Sequence, residues 1–178
     1  MFQTQPQETA LTSMSLTTAA RPLPAQILAL VVALAICFGA AYLGQLATTP
    51  NIDTWYAGLA KPSFNPPNAI FPVVWTVLYA MMAVALWLVW RTPPSAARAV
   101  GIAAFVVQLV LNVAWSWAFF GAHSPLLGLV VIVALIAAIV WTVLSFRRTS
   151  GLAAILMLPY LVWVSFATVL NASILALN

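Results

Sequence analysis

VGIAAFVVQLVLNVAWSWAFFGAHSPLLGLVVIVALIAAIVWTVLSF, residues 100–146, contains no formally charged side chain. A helix crosses a bilayer core with about 20 apolar residues, so this stretch is long enough for two crossings. Gly121-Ala122-His123-Ser124-Pro125 interrupts it with residues that punctuate a helix rather than propagate one. It therefore reads as two spans, about 99–120 and 125–146, joined by a tight turn. Upstream, Trp90-Arg91 closes a span over about 69–90, and a further span covers about 26–46. Downstream, Arg147-Arg148-Thr149-Ser150-Gly151 ends the fourth span, and a fifth runs over about 152–176. The expected fold class is an all-α integral membrane protein, a five-transmembrane-helix bundle over residues 26–178.

Composition points the same way. The 178 residues include 6 Lys plus Arg and 2 Asp plus Glu, so charged residues make up 4% of the chain. Soluble domains carry about 25%. A globule this small cannot hide a chain that is 65% hydrophobic with a mean hydropathy of +1.08. A soluble enzyme, a disordered scaffold and a nucleic-acid binder are all excluded on this ground. Cys37 is the single cysteine, and Glu8, Asp53 and His123 lie in separate loops or tails. No intrachain disulfide, metal centre or Ser-His-Asp arrangement can be assembled from them, and no catalytic residue is assigned.

Residues 1–25, rich in Thr, Ser, Gln and Pro, read as a disordered tail. A secretory signal is the competing reading, with Arg21 before an apolar Ile27–Phe38 core. The apolar run continues to Leu46 without a small-x-small cleavage site, so the span is expected to be retained. Arg21, Arg91, Arg98, Arg147 and Arg148 flank the side of the N-terminus, and Lys61 alone flanks the other. In a bacterial inner membrane this bias places the N-terminus in the cytoplasm.

The first connection, TTPNIDTWYAGLAKPSFNPPN over 48–68, carries Trp55, Tyr56, Leu59 and Phe64 among four prolines. The aromatic residues imply packing, and the prolines lower the entropy lost on ordering. Trp55, Tyr56 and Leu59 fit a short amphipathic helix capped by Asp53. Two readings stay open: an interfacial aromatic belt, and a lid over a pocket formed by Trp55, Lys61 and Phe64.

Three spans carry polar and aromatic side chains at helical spacing. The second has Phe71, Trp75 and Tyr79; the third has Gln108, Asn112, Trp115 and Phe119; the fifth has Trp163, Ala167 and Asn171, with Phe166 alongside. Amides are costly against lipid, so these faces should look inward. They either tie helices together or line a site. With indoles, phenols and amides but no ionisable group, such a site suits a large, flat, mostly apolar ligand rather than an ion or a sugar. Pro159 is expected to kink the fifth span and free the carbonyl of Ile155. Ala114 and Ala118 form a small-xxx-small pair compatible with dimerisation. His123 reads as a polar turn residue.

WYAGLAKPSFNPP, FPVVWTVLYAMM, LNVAWSWAFFG and LPYLVWVSFATVLNASILALN together resemble the translocator protein (TspO/MBR) family, which includes the peripheral-type benzodiazepine receptor. The likeness covers about 26–178. It implies a five-helix bundle, commonly a homodimer, that binds porphyrins and haem-type tetrapyrroles between its helices beneath the first loop. No obligatory cofactor is implied. By resemblance the ligand-binding positions fall on Tyr56, Trp75, Tyr79, Asn112, Trp115, Trp163 and Ala167; the spacing adds Gln108, Phe119 and Phe166. The expected pose sets the porphyrin between the Trp75/Tyr79 stripe and Trp163, its propionates toward Lys61 and Trp55. Acting as sensor, regulator or carrier is the leading expectation. Transport across the bilayer and light-dependent porphyrin breakdown are the alternatives. The end of the fifth span, Ala167–Ile174, has no Tyr followed by Lys or Arg, so the cholesterol-recognition pattern proposed for animal members is absent.

Overall fold

The computed structural model describes residues 22–178. Most of the expected tail over 1–25 lies outside the described residues, but Leu23 already belongs to a helix. Helix α1 spans Leu23–Ile52, α2 Ile70–Arg91, α3 Ala96–Ser116, α4 Pro125–Arg147 and α5 Gly151–Leu177. All five are long and apolar enough to cross a membrane. Helix α3 continues into a π-helical turn, Trp117–Gly121.

Local chemistry sets the ends. Ser95, Ser124 and Ser150 each turn a hydroxyl oxygen onto the backbone N–H three residues on, accepting from Arg98, Leu127 and Ala153. Pro125 begins α4, where a missing N–H costs nothing. Helix α1 passes through Pro50 instead of ending near Leu46. Side chains support the turns around the proline: Thr48 donates to the Gly44 carbonyl, Asn51 to Ala47 and Thr54 to Pro50. Pro159 likewise lies within a continuous α5. The short helix expected after Asp53 is only a 3-10 turn, Tyr56–Gly58, with no side-chain cap. Leu59 turns extended straight after it, which stops a longer helix.

The helices close a ring in which α1 packs on α2, α2 on α5, α5 on α4, α4 on α3 and α3 back on α1. Its centre is filled by fully buried Tyr160, Phe105, Phe146, Met82 and Met157, with Phe105 and Phe146 stacked at 5.9 Å. The outer faces are apolar and exposed, as at Val110, Val130 and Val162. That pattern suits hydrocarbon outside and packed side chains within.

Candidate functional site

At the end of the ring that faces the Asp53–Ala69 connection, the packing opens into a cavity of about 510 Å³. Helices α1, α2, α3 and α5 line it; α4 does not. One wall is Trp75 and Tyr79 of α2, ring centroids 5.6 Å apart and 33° between planes. Another is Trp115 and Phe119, stacked at 5.6 Å and 24°. Tyr56 from the connection covers the cavity, and Ala167, Leu170 and Asn171 of α5 complete it.

Hydrogen bonds fix these rings. The Tyr79 hydroxyl donates to Asn112 Oδ1, and Asn112 Nδ2 donates to the Tyr160 hydroxyl at 2.9 Å. This chain joins α2, α3 and α5 through one amide. The Trp115 indole donates to Asn171 Oδ1 at 3.2 Å, while Asn171 Nδ2 donates to the Pro125 carbonyl at 2.8 Å. Both amides are buried and satisfied, as polar groups at membrane depth must be. Tyr56 donates to Asn65 Oδ1 at 3.0 Å, bracing the two halves of the connection. Burial pushes the Tyr56 hydroxyl above its ordinary pKa, and the bond to Asn65 acts in the opposite direction.

Of the residues expected in a site, Tyr56, Trp75, Tyr79, Asn112, Trp115, Phe119 and Ala167 all line this cavity. Phe71 and Asn171, from the same helical faces, join them. Gln108 does not: it is fully buried between helices, its Nε2 3.9 Å from Met82 Sδ and its Oε1 unpartnered. Trp163 and Phe166 do not either. They line a separate groove of about 730 Å³ on the outer face, with Val74 and Leu78 of α2 and Ile155, Leu158, Pro159 and Val162 of α5. Trp163 meets Phe71 edge-on at 5.8 Å, and its buried Nε1 has no partner among the described residues. Trp163 therefore contributes to the groove and not to the cavity wall that Trp75 forms.

The three lid residues pack without lining the cavity. Trp55 stacks on His123 at 4.9 Å and lies edge-on to Phe119 at 5.4 Å. Phe64 lies edge-on to Phe166 at 6.3 Å. Lys61 Nζ sits 4.5 Å over the Tyr56 ring and donates to the carbonyls of Ala57 and Leu59. The connection is thus an ordered cover, but its one cation is directed to its own backbone.

The face of α1 was not anticipated. Phe38, Ala41, Gly44, Gln45, Thr48, Thr49 and Ile52 all line the cavity. Gln45, Thr48, Thr49 and Ile52 follow helical spacing, but ending the span at Leu46, where the apolar run stops, hides the stripe. Phe120 was also missed. At regular α-helical spacing it points about 100° from Phe119, and the π-helical turn lets both line the cavity.

A profile of the TspO/MBR family matches residues 31–177. The chain belongs to the TspO/MBR family. Among its relatives in that family is the tryptophan-rich protein TspO of Chlorobaculum tepidum, 46% identical over 154 residues, covering 86% of this chain and 98% of the relative. The tryptophan-rich sensory protein of Cereibacter sphaeroides is 34% identical over 145 residues, 82% of this chain and 88% of its own. The human translocator protein is 39% identical over 119 residues, 66% of this chain and 70% of its own. Five apolar helices and TspO/MBR membership make this a multi-pass membrane protein.

Proposed function

We propose that this TspO/MBR protein binds a flat tetrapyrrole of the protoporphyrin IX or haem type in the cavity beneath the first connection, and acts as its sensor, regulator or carrier. The observation that carries the reading is the pairing of two aromatic walls, Trp75/Tyr79 and Trp115/Phe119, around about 510 Å³. That volume falls within the roughly 300–1,000 Å³ of small-molecule pockets. Stacking on fixed rings rewards a planar ligand, because Asn112 and Asn171 have already met the cost of ordering those rings. The relative named as a sensory protein favours the sensing role within this reading. Homodimerisation through the Ala114/Ala118 face, beside exposed Trp117, belongs to the same proposal.

Titration of the protein in lipid nanodiscs with protoporphyrin IX tests it. Saturable quenching of tryptophan fluorescence is expected, and Trp75→Leu combined with Trp115→Leu should weaken the affinity about tenfold or more. Quenching with the same midpoint in the double variant contradicts the site.

A further inference from the structure

The cavity is closed on three sides and open on the fourth. Its lining residues on α3 and α5 are buried or half-buried, whereas Gln45 and Thr49 of α1 and Asn68, Pro72 and Thr76 at the start of α2 are exposed. The mouth therefore lies between α1 and α2, beside the connection. Its rim is polar and carries no charge. Thr76 donates its hydroxyl proton to the Pro72 carbonyl and keeps its lone pairs free to accept. The exposed carboxamides of Gln45 and Asn68 present both donors and acceptors at the rim. Lys61, the cation of the connection, does not line the cavity, and its Nζ is held by two backbone carbonyls and the Tyr56 ring.

From this arrangement we infer that the rim formed by Gln45, Thr49, Asn68 and Thr76 is a polar subsite that reads the polar edge of an amphiphilic ligand through neutral hydrogen bonds rather than through charge. The inference rests on the tetrapyrrole reading above and specifies the class of tetrapyrrole taken. The flat macrocycle lies against Trp75 and Trp115, and its carboxyl-bearing edge reaches the mouth. A carboxamide N–H donates to a carboxylate, a protonated acid or an ester carbonyl alike. An ammonium partner would instead favour the carboxylate alone, with a dependence on salt. The subsite consequently admits esterified or otherwise uncharged tetrapyrroles alongside the free acids, and so discriminates by shape and by the position of polar atoms.

The experiment compares protoporphyrin IX with its dimethyl ester on the wild-type protein in zwitterionic nanodiscs, each affinity referenced to the ligand concentration in the bilayer. Affinities within about threefold of one another, unchanged between low and high salt, are expected. Gln45→Leu combined with Asn68→Leu should weaken both ligands about tenfold, because each leucine removes one amide partner at a lipid-tolerant, exposed position. A free acid bound about tenfold or more tighter than the ester, with the preference lost in high salt or in Lys61→Met, overturns the inference and leaves the tetrapyrrole reading intact. Unchanged affinity for both ligands in the double leucine variant also overturns it. Failure of both ligands to bind saturably overturns the tetrapyrrole reading itself, and this inference with it. The wild-type comparison needs no variant, so a folding defect in a mutant leaves it decisive.

Discussion

Gly128 shows how a single small residue supports the site. It lies in the first turns of α4, and a Cβ built there would come within 2.8 Å of both Asn171 Oδ1 and the Phe119 ring. Those are the groups that hold and stack on Trp115. Gly128→Ala should therefore lower thermal stability in detergent by about 1–3 kcal/mol through overpacking, and alter the environment of the Trp115 indole. Asn171→Leu should leave the Trp115 N–H unpaired and remove the side-chain donor from the Pro125 carbonyl, costing about 0.6–2 kcal/mol per lost bond. Solvation-sensitive tryptophan fluorescence and a melting curve check both; an unchanged melting temperature in each variant contradicts the wall as described. At this scale the sequence is only partly readable. Asn112 and Trp115 share a helical face with obvious chemistry, so their position follows from spacing. Gly128 matters only because α4 crosses α3 and α5 there, and Trp163 lies in the groove rather than the cavity through the way α5 packs against α2. Neither effect leaves a mark in local sequence.

The elements that decide access to the cavity are α1 and the connection after it. The connection is pinned at separate points. Trp55 stacks on His123, whose Nε2 lies 2.7 Å from Asn51 Oδ1, and the Asn178 side chain bonds both the N–H and the carbonyl of Ala60. His123 has a φ of 53°, a left-handed backbone uncommon outside glycine, which turns its ring toward Trp55. His123→Ala should raise amide hydrogen exchange across residues 53–65 about tenfold while leaving α4 unchanged, since one stacked ring and one hydrogen bond are worth roughly 1–2 kcal/mol together. Equal exchange in both proteins argues that the cover is held without His123, by the Asn178 bonds to Ala60 and the Tyr56–Asn65 bond. The aromatic content of the connection announces an ordered segment. Its anchors are harder to foresee, because they come from residues 72 and 118 positions away in the chain. The end of α1 is hidden for a different reason: the helix continues through Pro50, beyond the apolar run that stops near Leu46, with Thr48, Asn51 and Thr54 donating to the carbonyls of Gly44, Ala47 and Pro50.

For the whole molecule, the helix ring and the asymmetry of its two ends matter most. Five spans place the start of α1 and the end of α5 on opposite sides of the membrane. Arg91, Arg98, Arg147 and Arg148 lie at the ends of α2, α3 and α4 away from the cavity, and Lys61 lies beside it. The arginine bias predicts that the N-terminal side faces the cytoplasm in an inner membrane, with the cavity opening near the opposite surface. Reporter fusions after residues 92 and 148 should be active only when the reporter works in the cytoplasm, and a fusion at 60 only when it works outside. The inverse pattern contradicts the orientation. The number of spans was readable from hydropathy together with the Gly121–Pro125 break, because membrane helices have few alternatives. The packing order 1-2-5-4-3 was not readable, since lipid-facing and partner-facing apolar residues look alike in sequence.

A tetrapyrrole held by the aromatic walls occupies the inner cavity and not the groove on the outer face. Methyl NMR of the protein in nanodiscs, with and without protoporphyrin IX, separates the two through the ring current of the bound macrocycle. The methyl groups of Ala41 and Ala167 line the cavity, while those of Ile155 and Val162 line the groove. Saturable shifts at Ala41 and Ala167, with Ile155 and Val162 unmoved, are the predicted result; shifts confined to Ile155 and Val162 would contradict it.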